Sequence, residues 1–263
     1  MKAPSTESTQ IALSIVSHGQ IGMICNLLED LRKFDLSGTS IVLTINIPED
    51  LSALKPFENL PISFINNEKP KGFGDNHNCA FESTICDFFT IVNPDIRLDA
   101  YNMTSLLAPF HAPDVGAVAP VILSPAGHIE DSARRFPSVS RLINRTVLGK
   151  REPDYGWDTH PIDVDWSAGM FVVYRAEAFR AIGGFNPRYF MYMEDADICL
   201  RLKRAGWRTV LQPACSVVHD ARRASRRSLR HLRWHLASAF RFLFFPIRQV
   251  PPGEPVRRHQ RGQ

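Results

Sequence analysis

Short β-branched runs alternate with stretches of helical spacing along the first third of the chain. Ile11–Ser17 (IALSIVS) and residues 40–47 (SIVLTINI) read as strands, and between them residues 22–34 repeat Ile24, Leu27, Leu28 and Leu31 on one helical face. A third strand is expected at Ile62–Asn66 and a helix at 75–86, after the turn Lys71-Gly72-Phe73-Gly74. Residues 87–92 (DFFTIV) predict an apolar strand that stops at Asn93-Pro94-Asp95. Alternation of strands and helices at this length favours a mainly parallel sheet, whose ligands gather at the carboxyl ends of its strands.

Val115–Leu123 predicts a further strand, whereas residues 124–165 are rich in Pro, Gly and charge without sustained periodicity, as in a long functional loop. Strand character returns over 166–175 (WSAGMFVVYR), and a short helix over 176–182 ends at Gly183-Gly184. Residues 195–205 place Ile198, Leu202 and Ala205 on one helical face and stop at Gly206, and 209–211 and 216–218 read as two closing strands. No internal repeat is present.

Composition narrows the class. A chain of 263 residues with 44% hydrophobic content can bury the core of one large α/β domain. The polar opening MKAPSTESTQ reads as a short disordered lead rather than a signal peptide. The apolar stretch 236–247 is interrupted by Arg241 and is about half the ~20 residues a membrane span needs. Five cysteines, with no C-x-x-C pair, suggest neither a disulfide framework nor a zinc site, and a reducing cytosol is the expected compartment. The net charge of +4 is unevenly spread: residues 220–263 hold eleven arginines against Asp220 and Glu254, leaving the first 219 residues at −5.

Four segments carry candidate chemistry. Asn93-Pro94-Asp95 puts a carboxylate just past a buried strand, where it can hold a divalent cation or simply close a turn. Met193-Glu194-Asp195-Ala196-Asp197 gathers three carboxylates behind the aromatic run Tyr189-Phe190-Met191-Tyr192. Acidic residues suit a helix's first turn, yet one of them is also the best candidate for a base that takes a hydroxyl proton. Arg201, one turn beyond Asp197, pairs with it at helical spacing. His219 follows the apolar Ser216-Val217-Val218, which fits a strand-end histidine, or a metal ligand if Asp95 is one. Lys69 to Asn78 offers positive charge, amides and glycines ahead of a helix, suited to a phosphate or to a plain turn, but with neither a P-loop ending nor a dinucleotide fingerprint.

In order, these segments resemble family 2 of the inverting glycosyltransferases with the GT-A fold, the rhamnosyltransferase-like members above all, over roughly residues 11–220. The most specific part is GGFNPRYFMYMEDADICLRLKRAGW, residues 183–207; KGFGDNHN at 71–78 and SARRFPS at 132–138 add to it. The resemblance implies Asp195 as general base with Glu194 as its partner, and Asp95 with His219 as ligands of Mg or Mn. It places Trp166, Ser167, Ala168 and Gly169 at the acceptor or sugar pocket, and Ser17, Asn46, Lys71, Gly72, Asn78 and Asn93 on the nucleotide side. Asn93 stands where the family's first metal-site aspartate is usual, and Ile45-Asn46 where Asp-Asn is usual, with Glu49 a nearby substitute.

The implied fold is α/β, a mainly parallel central sheet flanked by helices, with a C-terminal helical extension. The implied reaction transfers a sugar, rhamnose favoured, from a nucleotide diphosphate (dTDP-rhamnose or a UDP-sugar) to a glycan or lipid-linked glycan in cell-surface polysaccharide synthesis. A sugar nucleotidyltransferase, a metal-dependent hydrolase and a non-catalytic nucleotide-binding scaffold stand as alternatives. The expected division is a lead at 1–10, a catalytic domain at 11–220, a basic aromatic helical segment at 221–248 and a disordered tail at 249–263. Residues 222–248 mix eight arginines with Trp234, Phe240, Phe242, Phe244 and Phe245. That composition suits either an amphipathic helix on the inner face of an anionic membrane or a helix packed on protein, including a second copy of the chain. Nucleic acid is not expected, because no binding motif accompanies the charge.

Overall fold

Strand order follows from which apolar runs are buried on both faces. The computed structural model describes residues 9–99, 101–141, 154–156, 159–220 and 229–245; most of the lead, the middle of the 124–165 segment, residues 221–228 and the tail beyond 245 lie outside them. β1 (Ile11–Ser17) is buried along its length and pairs in parallel with β2 (Thr39–Ile45) on one side and β4 (Phe88–Val92) on the other. β3 (Ile62–Asn66) adds to β2, again in parallel. Beyond β4 come β10 (Phe171–Arg175), antiparallel to both neighbours, β6 (Val115–Leu123), β11 (Arg208–His219) and the short β5 (Ile96–Arg97). β8 (Ile162–Val164) pairs with β11, and β7 (Ala133–Arg134) with β9 (Trp166–Ser167) forms a separate two-stranded ribbon.

The period of two along each strand divides the core. Leu13 and Ile15 of β1 face a layer containing Ile24, Leu27, Leu28 and Leu31 of helix α1 (Ile21–Leu31). Ala12 and, from β4, Phe89 and Ile91 face the other layer. There Phe179 of α4 (Ala176–Ala181), Ile198 and Leu202 of α5 (Glu194–Arg204), and Phe242 of α6 (Leu229–Phe244) pack with Phe185. Between these elements α2 (Phe73–Glu82) follows the Lys71-Gly72 turn, and α3 (Met103–Leu107) is capped by the Asn102 side chain accepting from Ser105 N. All five cysteines are free. Among the described residues no helix is long and apolar enough to cross a membrane.

Three sequence expectations change. The two closing strands are one, β11, whose register against β6 slips between Gln212 and Ser216, where Pro213 lacks an N–H for the ladder. Residues 166–175 are two strands, because Ala168-Gly169-Met170 leaves the ribbon to enter the main sheet. The 124–165 segment contributes β7 and β8 rather than loop alone. Helix α3 and strand β5 give no periodic signal, being five and two residues long.

One buried carboxylate ties the first layer to the segment that follows Asp95. Asp30 of α1 is 1% exposed and accepts from Arg97 Nε at 2.6 Å, Arg97 Nη2 at 2.9 Å, Lys33 Nζ at 2.8 Å and Leu98 N at 3.2 Å. Burial alone would raise its pKa, but these donors hold it far below the usual carboxylate range. Stability from a lowered carboxylate pKa is fully present above the unfolded value near 4 and lost as pH falls below it. Asp30→Asn is therefore expected to lose about 2–3 kcal/mol at pH 7, between exposed and buried ion pairs because Arg97 is partly solvated. Urea denaturation should show the gap between the two proteins narrowing below about pH 4.

Candidate active site

The carboxyl ends of β4 and β11 meet on one side of the sheet, and the sequence candidates collect there. β4 ends at Val92, and Asn93 N donates to Met170 O at 2.8 Å, so the Asn93–Asp95 turn lies against the segment leading into β10. β5 then pairs with β11, with Ile96 opposite His219, and Asp220 N donates to Asp95 O at 2.8 Å. This register brings His219 Nε2 to 3.3 Å from Asp95 Oδ2. On its other edge the ring places Nδ1 2.9 Å from Glu130 Oε2, across 89 residues of sequence. Burial opposes charge on the imidazole, yet the two carboxylates carry its pKa up to about 9.

Asp95 Oδ1 is buried without a hydrogen-bond partner. An orphaned carboxylate oxygen beside an imidazole suits a divalent cation, so Asp95 and His219 fit the role of ligands. Cation and proton compete for Nε2, because the ring must be neutral to ligate. Among the described residues no group of three or more His, Cys, Asp or Glu side chains is arranged to hold an ion. Asp95 and His219 by themselves would make up part of a coordination shell, with other ligands and water completing it.

The acidic cluster opens α5. Tyr192 and Met193 both adopt left-handed φ values, 72° and 65°, a strained pair for residues other than glycine. The turn delivers Glu194 into the interior at 6% exposure, with Oε2 unpartnered, and leaves Asp195 half-buried beside it. Asp195 Oδ1 accepts from Ala196 N at 2.9 Å, and Oδ2 from Gly169 N at 3.3 Å. Burial raises both carboxyls, Glu194 well above its ordinary range; at Asp195 the backbone donors and Arg134 oppose the rise without cancelling it. Of the two, Asp195 has the backbone donors that favour a charged carboxylate, which makes it the better candidate for a base. Asp197 serves the fold instead, its Oδ2 accepting from Arg201 Nε at 2.7 Å in a pair 1% and 3% exposed. Arg201 Nη1 in turn donates to Ile182 O.

Gly169 is where several elements converge. A β-carbon there would lie 3.3 Å from the Phe73 ring and 3.6 Å from Asp195 Cβ. Trp166 and Ser167 are buried in the ribbon, Trp166 Nε1 donating to Arg135 O and the Arg134 guanidinium lying 5.3 Å from the Trp166 ring. Ala168 N donates to Ser132 O. The expected nucleotide-side residues divide by how they are engaged. Asn46 uses both ends of its amide on Lys71 N, Lys71 O, Asn67 and His18, which fixes the turn before α2. Asn78 spans Phe185 N and O, and Ser17 Oγ accepts from Gln20 N at the start of α1. Gly72 packs so closely on Phe190 that a β-carbon would meet its carbonyl oxygen at 2.6 Å. Lys71 is exposed and Asn93 half-buried.

Sequence reasoning passes over the C-terminal helix as part of this site. α6 engages each residue of the aromatic run in turn. Arg241 lies 5.7 Å from the Tyr189 ring, Trp234 4.9 Å from the Phe190 ring, and Ser238 Oγ donates to Met191 O at 2.9 Å. His231 Nδ1 is 2.8 Å from Tyr192 Oη, and the His235 ring 5.3 Å from the Tyr192 ring. Burial lowers the His235 pKa, and the Asp195 charge acts against that. Glu130 and Arg134 also escape a reading of the sequence. Glu130 gives no local signal, and Arg134 sits in a segment whose value there is its resemblance alone.

Residues 126–237 match the family described as Glycosyltransferase like family 2. The chain is 36% identical over 181 residues to the N-acetylglucosaminyl-diphospho-decaprenol L-rhamnosyltransferase of Mycobacterium tuberculosis, covering 65% of this chain and 59% of that protein. It is 31% identical over 247 residues to the rhamnosyltransferase WbbL of Escherichia coli K12, covering 89% of this chain and 92% of that one. The fold is similar to that of GalNAc-T7, solved with UDP, GalNAc and Mn2+, at a TM-score of 0.64 and 15% identity, over 82% of this chain and 45% of that one.

The two neighbouring aspartates should separate by their stability effects. Asp197→Asn removes the charge that partners a buried guanidinium and is expected to cost about 3–5 kcal/mol in chemical denaturation. Asp195→Asn removes a carboxylate whose charged form the fold disfavours, so its unfolding free energy at pH 7 should equal or exceed that of the wild type.

Proposed function

The chain belongs to glycosyltransferase family 2 and has the GT-A fold, and from that membership we propose that it is an inverting sugar transferase whose base is Asp195. The observation that carries the assignment is the contrast inside one helical turn. Glu194 is buried with its carboxyl raised well above the ordinary range, Asp197 is bound to Arg201, and Asp195 is half-buried and accepts from Gly169 N and Ala196 N. Asp195 takes the proton of the acceptor hydroxyl as that oxygen attacks the anomeric carbon, while Glu194 keeps the neighbouring position neutral. Asp95 and His219 are the residues that would hold Mg or Mn. A divalent cation there would offset the negative charge gathering on the leaving nucleotide diphosphate. Lys71, Gly72 and Asn93 line the approach from the nucleotide side, with Ser17, Asn46 and Asn78 fixing the turns that present them. Trp166, Ser167, Ala168 and Gly169 border the sugar and acceptor.

Rhamnose is the sugar this reading favours, with dTDP-rhamnose as donor, because both relatives are named rhamnosyltransferases. The name of the mycobacterial relative also suggests the acceptor class, a sugar on a diphosphate-linked polyprenol. Such an acceptor would bring a cytoplasmic enzyme to the inner face of a membrane. Residues 11–220 would form the catalytic part and 221–248 an appendage to it.

Incubation with dTDP-rhamnose, Mg or Mn, and a short-chain polyprenyl-diphosphate N-acetylglucosamine should yield a product whose anomeric configuration is inverted by NMR. Asp195→Asn is expected to lower kcat by about 10²- to 10⁴-fold, with a smaller change in donor KM. Full turnover by a folded Asp195→Asn protein would refute the base assignment. No thermal shift with any nucleotide sugar would favour a non-catalytic scaffold instead.

A further inference from the structure

Helix α6 has two apolar faces, and the fold uses one. Its inner face carries Ser238, Ala239 and Phe242 into the core and sets His231, Trp234 and His235 against the aromatic run. At 100° per residue, Leu232, Leu236, Phe240 and Phe244 fall within an arc of about 120° on the far side. They are 54%, 60%, 57% and 58% exposed, and Phe245, just past the helix end, is 59% exposed with its ring 5.9 Å from that of Phe240. The half-buried Leu243 belongs to the same arc, and the one charged residue there among those described is the exposed Arg233. An apolar band on the outside of a helix already docked on its own domain calls for a second partner.

We propose that this outer face of α6 seats the protein on an anionic lipid surface. The charge pattern selects the partner. Residues 222–248 hold eight arginines and no acidic residue, which complements anionic headgroups at the depth where a helix lies in the interface. A second copy of the chain is disfavoured by the same pattern, because a two-fold interface would bring like-charged segments together. Arg233, beside the stripe, has the long stem that lets a guanidinium reach headgroups while its methylenes stay with the apolar residues.

The docked helix also meets the site. The residues that hold Tyr189 to Tyr192 lie on the opposite face of the same turns as Leu236 and Phe240, so a bilayer under α6 would lie on the side of the helix away from the Tyr192–Asp195 turn. The surface is thus placed to set the distance from the lipid to the base. This placement rests on the transferase reading, whereas the lipid contact itself does not.

The test is flotation of the full chain with vesicles of phosphatidylcholine and phosphatidylglycerol at 3:1, against phosphatidylcholine alone. The wild type should float with the mixed vesicles, and less in high salt. The double variant Leu236→Glu/Phe240→Glu should lose about tenfold or more of its partition, as expected for two apolar side chains withdrawn from the interface. Its unfolding midpoint and its transfer to a water-soluble acceptor should be unchanged, which keeps a failure of this proposal distinct from a failure of the transferase assignment. Equal flotation of variant and wild type, flotation that ignores lipid charge, or no flotation of the wild type would overturn it. So would a wild-type dimer that the double variant converts to monomer, which would give the face to a second copy.

Discussion

Two adjacent carboxylates at the start of α5 repel each other in a site that also disfavours their charge, and much of the surrounding structure answers that conflict. Glu194 sinks into the interior, where its Oε2 has no partner and burial raises its pKa well above the ordinary range. Asp195 stays nearer the surface, receives two backbone N–H groups, and lies within reach of the Arg134 charge. The difference between the two carboxyls is therefore a property of depth and donors, not of residue type. It also requires backbone in the left-handed region at Tyr192 and Met193, conformations that persist only where neighbours over-determine them. Here the neighbours are the residues of α6, which reach four consecutive positions leading to the cluster.

The opposite wall is organised by pairing rather than by strain. A two-residue strand, β5, adds to the end of β11 and so sets Asp95 against His219, and Asp30 fixes the far side of β5 through Arg97 and Leu98. A carboxylate on α1, distant in sequence, thereby helps to position Asp95. Gly169 links the two walls. Its N–H orients Asp195, the neighbouring Met170 O receives Asn93 N, and its missing side chain lets Phe73 and Asp195 approach together.

Much of this was legible in the sequence where burial and punctuation agree. β1, β3 and β6 occur at the bounds their apolar runs predict, and α1 buries the face carrying Ile24 to Leu31. Helix α5 lies one residue from the predicted bounds at each end, and the pairing of Asp197 with Arg201 follows from helical spacing. What could not be read depended on tertiary pairing. Proline and a register slip disguised β11 as two strands. The apolar Ala168 and Met170 disguised a change of sheet as one continuous strand. Glu130 reaches His219 through a contact that no local pattern encodes. The aromatic approach to Glu194 was visible, but its counterpart 39 to 52 residues onward was not, because nothing in the spacing of α6 says which of its apolar faces is inside.

That ambiguity is itself informative. A helix whose one face served only to complete the core would ordinarily carry polar residues on the other, as charged side chains outside cost little and keep the surface soluble. α6 instead has Leu232, Leu236, Phe240 and Phe244 outside and two histidines, a tryptophan and a serine among the residues inside. The polar groups are inside because they bond to the turn that presents Asp195. The apolar groups are outside because the solvent on that side is, on our proposal, not water. Such an inversion places the requirement for order at Asp195 and the requirement for apolar surroundings at the periphery within one element. Position at a lipid surface and geometry at the carboxylate then depend on the same sixteen residues.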